Sequence, residues 1–263
     1  MIGVEDLTVT FNPGAAIETK ALIEVSLSIP KGEFVTVIGS NGAGKSTLLN
    51  ALTGDVAIDR GRIVIDDVDL TTWSAPRRAA LLARVFQDPM AGTCEEMSIE
   101  ENLSLAMARG KTRGLSRALN PARRDGFRDH VARLGLGLED RLTDRMGLLS
   151  GGQRQAVSLV MAALRPMKIL LLDEHTASLD PKTAAFVLDL TRELVGENHL
   201  TTLMVTHSMR QALDVGDRTV MLHQGRVVFD IAGEERKKLD VPDLLHMFER
   251  VRGEELDEDS LLL

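Results

Sequence analysis

Short runs of apolar and β-branched residues, separated by glycine, proline and charged residues, make up the first third of the chain. This pattern is typical of β-strands. It predicts strands at LTVTF (7–11), ALIEVSLSI (21–29), EFVTVIG (33–39) and GRIVIDD (61–67). A short helix at about 76–82 and a strand at RVFQD (84–88) follow. The N-terminal part of the chain is therefore predicted to be mainly β.

Between about residues 90 and 167 the apolar residues take helical spacing. Ser98 and Glu101 have the spacing of a capping box ahead of the apolar run SIEENLSLAMA, which marks a helix start. Further helical segments are predicted at FRDHVARLGLG (127–137) and after Gly152. Because this block interrupts a strand-rich chain, we expect an inserted helical subdomain.

Strands and helices alternate again in the last part of the chain, at KILLLDE (168–174), at a helix over 182–196 and at TTLMVTH (201–207). Such alternation implies right-handed crossovers and a parallel sheet. RTVMLHQ and RVVFDIA, joined at Gly225, predict a hairpin. A helix at about 241–251 is expected to lead into a disordered acidic tail, GEELDEDS.

Composition narrows the possible functions. The 263 residues are 44% hydrophobic, carry a formal net charge of -8 and include only 3% aromatic residues. A chain with this charge and so few aromatics is not expected to bind nucleic acid. The single cysteine, Cys94, excludes an internal disulfide. The start of the chain lacks the pattern of a signal peptide, and the longest apolar stretch, 156–164, is too short to span a membrane. We therefore expect a cytoplasmic chain, or one attached to a membrane through a partner.

The segment GSNGAGKS, which begins at Gly39, fits the pattern G-x-x-x-x-G-K-[ST] between a predicted strand and a predicted helix. A loop that wraps phosphate with its backbone amides must approach closely, and Gly39, Gly42 and Gly44 carry no side chain to obstruct it. Lys45 supplies a positive charge for the β- and γ-phosphates, and Ser46 offers a hydroxyl to Mg²⁺. The predicted ligands are therefore a nucleoside triphosphate, ATP, and Mg²⁺. The predicted contact residues are Gly39, Ser40, Asn41, Gly42, Ala43, Gly44, Lys45, Ser46 and Thr47.

Two further motifs accompany this loop. KILLLDE is an apolar strand that ends in Asp173 and Glu174, at the edge of the sheet where ligands of open α/β sheets bind. Asp173 is a candidate to hold Mg²⁺, and Glu174 a candidate to polarise the attacking water. LSGGQ (149–153) places a good N-cap, Ser150, before two glycines at a helix start. By itself this could be a glycine turn, but a second anion-binding helix start suggests two chains that complete each other's nucleotide sites.

An ordered set of motifs resembles the ATP-binding subunits of ABC transporters over about residues 1–230. The set comprises Gly39–Thr47, Gln87, LSGGQ, ILLLDE (169–174), SLD (178–180) and His207. The resemblance implies an α/β P-loop NTPase of the ABC type, with a mixed sheet, an N-terminal antiparallel β subdomain and an inserted helical subdomain. It implies a single ABC ATPase domain over 1–263. Its parts would be a nucleotide-binding core (1–90 and 168–240), the helical subdomain (91–167) and a C-terminal helix and tail (241–263).

The resemblance also implies how the site is assembled. Two subunits would pack head to tail as a homodimer, with ATP between the phosphate loop of one and the signature residues Ser150, Gly151, Gly152 and Gln153 of the other. Glu174 would be the catalytic base, Gln87 would contact Mg²⁺ and the water, and His207 would contact the γ-phosphate. Asp180 would belong to the loop that couples the two sites. Phe11 would stack on adenine, although core packing is an alternative for a phenylalanine in a strand.

Several features depart from the common pattern. The family usually has D-E-P-T after the acidic strand, where this chain has His175 in place of proline. The details resemble a subgroup that works with branched-chain-amino-acid-type permeases and solute-binding lipoproteins. This implies an importer ATPase on the cytoplasmic face of the plasma (inner) membrane, possible solutes being amino acids or related small molecules. The segment 110–128 has six Arg and Lys residues and one acid. It is either a contact for the permease or lipid headgroups, or a solvated basic face. A non-transport ATPase of assembly or repair type and an exporter ATPase are the alternative functions.

Overall fold

The computed structural model describes residues 1–111 and 118–260. The first half contains β1 (Ile2–Phe11), β2 (Thr19–Ile29), β3 (Phe34–Ile38), α1 (Lys45–Thr53), β4 (Arg60–Ile65), β5 (Val68–Asp69), α2 (Ala75–Arg78), β6 (Leu82–Val85), α3 (Ile99–Met107) and α4 (Pro121–Ala132). A 3-10 turn at Met146–Leu148 precedes α5 (Gly151–Ala163), β7 (Ile169–Asp173), α6 (Pro181–Asn198), β8 (Thr202–Val205), α7 (Met209–Val215), β9 (Arg218–His223), β10 (Arg226–Ala232), α8 (Gly233–Lys237) and α9 (Val241–Ser260).

The strands form two sheets. An antiparallel sheet has the order β2-β1-β4-β5, and a six-stranded sheet has the order β10-β9-β3-β8-β7-β6. In the larger sheet β9, β3, β8, β7 and β6 are parallel, and β10 is antiparallel to β9. The mixed sheet, the N-terminal antiparallel sheet and the hairpin at Gly225 are confirmed. The parallel strands bring the residues that follow β3, β7 and β8 to one edge, which is where the functional motifs lie.

Four apolar clusters occur among the described residues, and three of them support the sheets and the helical block. One fills the space between the two sheets and around α1, with Leu7, Leu48 and Val220 at 1% exposure or less. A second lies on the other face of the large sheet, where Leu172 and Leu188 belong to β7 and α6. The helices between β6 and β7 have a core of their own around Leu103, Phe127 and Val157. The helical block therefore has its own hydrophobic interior.

Several element boundaries differ from the sequence prediction. Strand β1 begins at Ile2 rather than at 7, and α2 ends at Arg78 rather than at 82. The strand expected at 84–88 is β6, which ends at Val85, because its pairing with β7 stops there and the Phe86 carbonyl accepts a hydrogen bond from Gln155 Nε2 at 3.0 Å. Helix α4 begins at Pro121 rather than 127, because Asn120 caps it by accepting from the Arg123 amide at 3.0 Å. The segment expected to be a disordered tail is helical to Ser260, in keeping with the helix propensity of its Glu and Leu residues.

The basic segment at 110–128 lies partly outside the described residues, which stop at Lys111 and resume at Ala118. Its last part forms the first turns of α4, where Arg124 pairs with Glu100 of α3. Within 1–111 and 118–260, no helix combines the length and the apolar character needed to cross a membrane.

Candidate functional site: a phosphate loop facing two acidic strand ends

The glycine-rich loop between β3 and α1 has a backbone that side chains would obstruct. Gly39 has φ 151°, and a Cβ there would lie 2.2 Å from the Leu222 carbonyl oxygen. Gly44, the N-cap of α1, has φ 101°, and a Cβ there would lie 2.4 Å from the Ala21 carbonyl oxygen. Within the described residues no side chain caps α1. The first-turn amides of α1 therefore remain available to an anionic ligand.

Lys45 is the first residue of α1, and its side chain folds back over the loop. Nζ donates hydrogen bonds to the carbonyl oxygens of Gly39 at 2.8 Å and Ser40 at 2.9 Å. Burial lowers the pKa of this ammonium group, while the charges of Glu174 and Asp173 act in the opposite direction. The lysine therefore lies inside the loop and within the electrostatic influence of both acids.

The two acids follow directly from the sheet. Asp173 is the last residue of β7 and Glu174 is the next residue, with φ 45°. This left-handed backbone costs a non-glycine residue on the order of 1–3 kcal/mol. Two hydrogen bonds hold it: the Glu174 amide donates to the Val205 carbonyl at 3.0 Å, and the Glu174 carbonyl accepts from the Ala177 amide at 2.9 Å. A strained and anchored backbone at this position aims one particular carboxylate at the site.

His207 meets Glu174 at this edge. Its Nε2 lies 2.6 Å from Glu174 Oε1, and its side chain is 45% exposed whereas that of Glu174 is 9% exposed. The pairing follows from the topology, since β7 and β8 are neighbouring parallel strands and the two residues lie just beyond their ends. The sequence predicted both residues separately, and the structure brings them into contact.

Gln211 of α7 connects the segments that carry Glu174 and His207. Its Oε1 accepts hydrogen bonds from the hydroxyls of Thr176 and Thr206, each at 3.2 Å. Sequence analysis missed this residue. The one available signal was its position four residues after His207 near the start of a helix, which is weak because many polar residues occupy such positions.

Gln87 lies in the loop after β6, two residues beyond the strand end, and its side chain is exposed. The sequence predicted Gln87 at the end of the strand, whereas in the structure it lies outside the sheet. Its carbonyl oxygen accepts from the Ser178 hydroxyl at 3.4 Å. The Gln87 loop thus contacts the segment before α6, while the neighbouring Phe86 carbonyl accepts from Gln155 of α5.

The LSGGQ segment forms a complete capping box at the start of α5. The Ser150 hydroxyl oxygen accepts from the Gln153 amide at 3.3 Å, and Gln153 Oε1 accepts from the Ser150 amide at 3.1 Å. Next to it, Leu148 is 70% exposed.

Asp180 caps α6 in a comparable way, accepting from the amides of Lys182 and Thr183 at 3.2 Å each. The cap of Asp180 is a structural role that sequence analysis did not predict.

Phe11 is the last residue of β1 and is 40% exposed. The alternative that it packs in the core therefore does not fit, and its ring remains available for contact.

In the phosphate loop Ser46 is exposed, Thr47 is partly buried and Ala43 is buried. Ser40, Asn41 and Gly42 complete the loop, and the Ser40 carbonyl accepts from the Ala43 amide at 3.2 Å.

The proposed Mg²⁺ donors are all oxygens: the Ser46 hydroxyl, the Gln87 amide and the Asp173 carboxylate. Hard oxygen donors with a single carboxylate suit Mg²⁺ bound together with substrate phosphates. Among the described residues no group of three or more His, Cys, Asp or Glu is arranged so that it could hold a metal ion by itself. This donor set therefore differs from an all-protein metal site. The residues therefore fit Mg²⁺ delivered with a nucleotide.

His175, which replaces the expected proline, is 1% exposed. Its Nε2 lies 3.0 Å from the Thr191 hydroxyl, which itself donates to the Val187 carbonyl at 2.8 Å. Nε2 is therefore the donor to Thr191. Burial lowers the pKa of His175 to about 4, so the imidazole is neutral at neutral pH. The side chain ties the residue after Glu174 to α6.

Comparisons with known proteins show the family to which the chain belongs. The model of the family described as ABC transporter matches residues 22–177. A tyrosine transport ATP-binding protein of Clostridioides difficile (strain R20291) is 43% identical over 250 residues, which covers 95% of this chain and 99% of that protein. A thiamine import ATP-binding protein of Salmonella choleraesuis (strain SC-B67) is 35% identical over 204 residues, covering 78% of this chain and 82% of that protein.

A solved ATP-binding cassette is similar in structure, with a TM-score of 0.76 and 28% sequence identity, covering 88% of this chain and 98% of its own. That cassette was solved as a dimer in a post-hydrolysis state, bound to ADP and Pi. The chain belongs to the ABC transporter family, as an ATP-binding and ATP-hydrolysing subunit.

Proposed function

We propose that this chain powers the import of an amino acid, with tyrosine as the first candidate, through a separate membrane permease. The observation that carries the proposal is the 43% identity to a tyrosine transport ATP-binding protein over 99% of that protein's length. The likeness to a thiamine import ATP-binding protein favours import over export and over a non-transport role. The chain would act at the cytoplasmic face of the membrane, held there by the permease.

Binding of ATP in this proposal begins at the phosphate loop. The free amides at the start of α1 and the Lys45 ammonium bind the β- and γ-phosphates. The carbonyls of Gly39 and Ser40 now share the Lys45 ammonium, and phosphate oxygens would share it with them or replace them. Phe11, exposed at the end of β1, stacks on the adenine. When bound, Mg²⁺ offsets phosphate charge, with Ser46, Gln87 and Asp173 to hold it.

Hydrolysis in this proposal uses the pair of Glu174 and His207. Glu174 accepts a proton from the attacking water, whose oxygen forms a bond to the γ-phosphorus while the bond to the bridging oxygen of ADP breaks. Gln87 orients this water. His207 Nε2, 2.6 Å from Glu174 Oε1, keeps the base in place until the nucleotide binds, and its one hydrogen bond then passes to a γ-phosphate oxygen. The hydrogen bonds of Gln211 keep both segments in register.

A head-to-tail homodimer completes the site. Ser150, Gly151, Gly152 and Gln153 of one subunit would contact the nucleotide held by the other, and Asp180 would lie in the loop between the two sites. Two observations support this arrangement. Leu148, beside the signature, is 70% exposed, and the similar cassette with ADP and Pi was solved as a dimer. ATP binding would close the dimer and hydrolysis would reopen it.

The permease would bind in a groove between the large sheet and the helical block. This groove has a volume of about 600 Å³ and is lined mainly by apolar side chains, among them Phe86, Cys94, Leu105 and Met161. Leu105 is 43% exposed, which is unusual for a leucine in a helix that also contributes to a core. A short cytoplasmic helix of the permease is the occupant we propose. A separate solute-binding lipoprotein would deliver the solute on the other side of the membrane.

The test is transport itself. Cells lacking this gene should lose uptake of radiolabelled tyrosine, and the wild-type gene should restore it while the Glu174→Gln variant should not. The tagged chain should co-purify with an integral membrane permease, and tyrosine supplied with the binding lipoprotein should stimulate the ATPase activity of that complex. Uptake that is unchanged in the deletion strain would reject tyrosine. If another solute stimulates the ATPase activity, that solute would replace tyrosine as the proposed substrate.

A further inference from the structure

Arg84 of β6 places its charge between three structural elements. Nη2 donates to Asp173 Oδ2 at 2.5 Å, and Nη1 donates to Asn50 Oδ1 at 2.6 Å. Nη1 also lies 3.6 Å from Asp55 Oδ2, and the guanidinium carbon lies 4.7 Å from the centre of the Phe86 ring. The Arg84 and Asp173 side chains are 10% and 11% exposed. The pair is therefore largely shielded from water.

These partners belong to the two halves of the nucleotide site. Asp173 is the carboxylate proposed for Mg²⁺, and Asn50 lies in α1, the helix that begins with Lys45. A planar guanidinium with two separate acceptors constrains orientation more than an ammonium group does. A shielded ion pair is also weakened little by salt. Arg84 therefore restrains one oxygen of Asp173 and ties its position to the phosphate-binding helix.

The same arginine forms part of the wall of the groove. Arg84, Asp55, Phe86 and Cys94 all line it. Any group that enters the groove therefore comes close to the guanidinium that holds Asp173. An acidic or hydrogen-bond-accepting side chain there would meet Arg84 Nε, a buried donor that has no hydrogen-bond partner among the described residues. Binding this nitrogen would shift the guanidinium that holds Asp173.

We propose that Arg84 is a positioning residue that couples the groove to Asp173, so that occupancy of the groove and metal binding at Asp173 influence each other. The proposal rests on the proposed function, because it takes Asp173 as a Mg²⁺ donor and the groove as the partner site. Thermodynamic coupling is reciprocal, so binding of Mg²⁺ with nucleotide also changes the surroundings of the groove. The reciprocal direction can be tested without knowing the partner.

Cys94 offers a reporter, because it is the one cysteine of the chain, is exposed and lines the groove. We would attach an environment-sensitive fluorophore to Cys94 of the full chain in the Glu174→Gln background, saturate the protein with ATP and titrate Mg²⁺. A fluorescent ATP analogue on unlabelled protein would measure nucleotide binding over the same titration. The expected result is a fluorescence change at Cys94 that follows Mg²⁺ binding.

Arg84→Met should uncouple the two. We expect it to bind nucleotide in the presence of Mg²⁺ while the response at Cys94 is lost. Arg165→Met is the matched control: Arg165 is also partly buried, but it donates to the Arg109 carbonyl and does not contact Asp173. It should keep the wild-type response. A response of Arg84→Met with the amplitude and Mg²⁺ midpoint of the parent would overturn the proposal.

Asn50→Ala is a second variant, which tests the coupling without replacing Arg84. It leaves the arginine in place but removes one of its two anchors, so the Cys94 response should fall and the Mg²⁺ midpoint should shift. An Asn50→Ala protein with the parent's response would count against the proposal if Arg84→Met does not fold. If the parent protein binds nucleotide with Mg²⁺ but shows no Cys94 response, the coupling is absent while the proposed function stands. If the parent binds no nucleotide at all, the proposed function itself has failed.

Discussion

His207 Nε2 lies 2.6 Å from Glu174 Oε1, so the two side chains proposed for catalysis are already in contact. Each lies just beyond the end of a parallel strand, Glu174 after β7 and His207 after β8. A contact of this kind orients a general base before the substrate arrives, which reduces the cost of arranging it during the reaction.

Glu174→Gln should retain ATP binding and lose nearly all turnover, because an amide cannot accept the proton of the attacking water. The expected loss in kcat is about 10²- to 10⁴-fold, the usual contribution of a general base. The variant should accumulate as an ATP-bound dimer. ATPase assays and size-exclusion chromatography with ATP measure both effects. Turnover like that of the wild type would remove Glu174 from the base role.

The same pair predicts a non-additive double variant. If Glu174 and His207 act as one unit, Glu174→Gln combined with His207→Ala should be no slower than the slower single variant. Multiplied losses in the double variant would show instead that the two residues act independently, in spite of their contact.

Lys45→Ala should weaken ATP binding by about 10- to 100-fold, because a hydrogen bond to a charged group contributes about 1.5–3 kcal/mol. The Gly39 and Ser40 carbonyls would also lose the ammonium that bridges them. Equilibrium binding of a fluorescent ATP analogue measures the effect. Lys31→Ala, at an exposed lysine outside the loop, is the control and should bind like the wild type. Equal affinity in both variants would contradict the proposed phosphate site.

The chain has two capping boxes of the same kind, and comparing their serines distinguishes a role in stability from a role in dimerisation. Ser150 caps α5 with Gln153, and Ser98 caps α3 with Glu101. Replacing either serine with alanine should cost about 1 kcal/mol in the free energy of unfolding. In the Glu174→Gln background, however, only Ser150→Ala should lose ATP-dependent dimerisation. Denaturant titrations and analytical ultracentrifugation give the two readouts. Loss of the dimer in Ser98→Ala as well would show that stability alone explains the effect.

The groove should be needed for the permease. Leu105 and Leu245 are both 43% exposed, but only Leu105 lines the groove. Leu105→Glu should therefore abolish co-purification with the permease and uptake of solute, while keeping ATP binding by the isolated chain. Leu245→Glu on α9 is the matched control and should preserve the complex. A permease complex that withstands Leu105→Glu would place the partner elsewhere.

The buried histidine predicts a pH dependence of stability. The pKa of His175 is lowered from 6.5 to about 4 by burial, so between these values the unfolded chain binds a proton that the folded chain does not. The stabilisation is fully present above about pH 6.5 and is lost as pH falls toward about 4, a difference of about 3 kcal/mol. Urea titrations across this range measure it. His175→Gln should flatten the dependence, and His130→Gln at an exposed position controls for the loss of an imidazole as such. An unchanged pH dependence in His175→Gln would contradict this account.

Much of the molecule could be derived from sequence because its motifs are local. A phosphate loop needs its glycines and its lysine at fixed spacing. Gly39 and Lys45 are 6 positions apart, and Lys45 Nζ donates to the Gly39 carbonyl. The alternation of apolar strands and helices required a parallel sheet, and the capping box at Ser98 required a helix start there. The acidic strand end at Asp173 and Glu174 could be recognised for the same reason.

Tertiary structure alone decided which distant residues meet. Arg84 and Asp173 are 89 positions apart, and Thr176 and Gln211 are 35 apart, so periodicity contains no signal for either contact. The end of β6 at Val85 was set by pairing with β7, and the exposure of Phe11 by its place at the end of β1. The amino-acid sequence therefore determined the chemistry of each segment, because backbone geometry and spacing are local properties. The register of the sheet determined how the segments combine into a site, because only packing brings remote strand ends together.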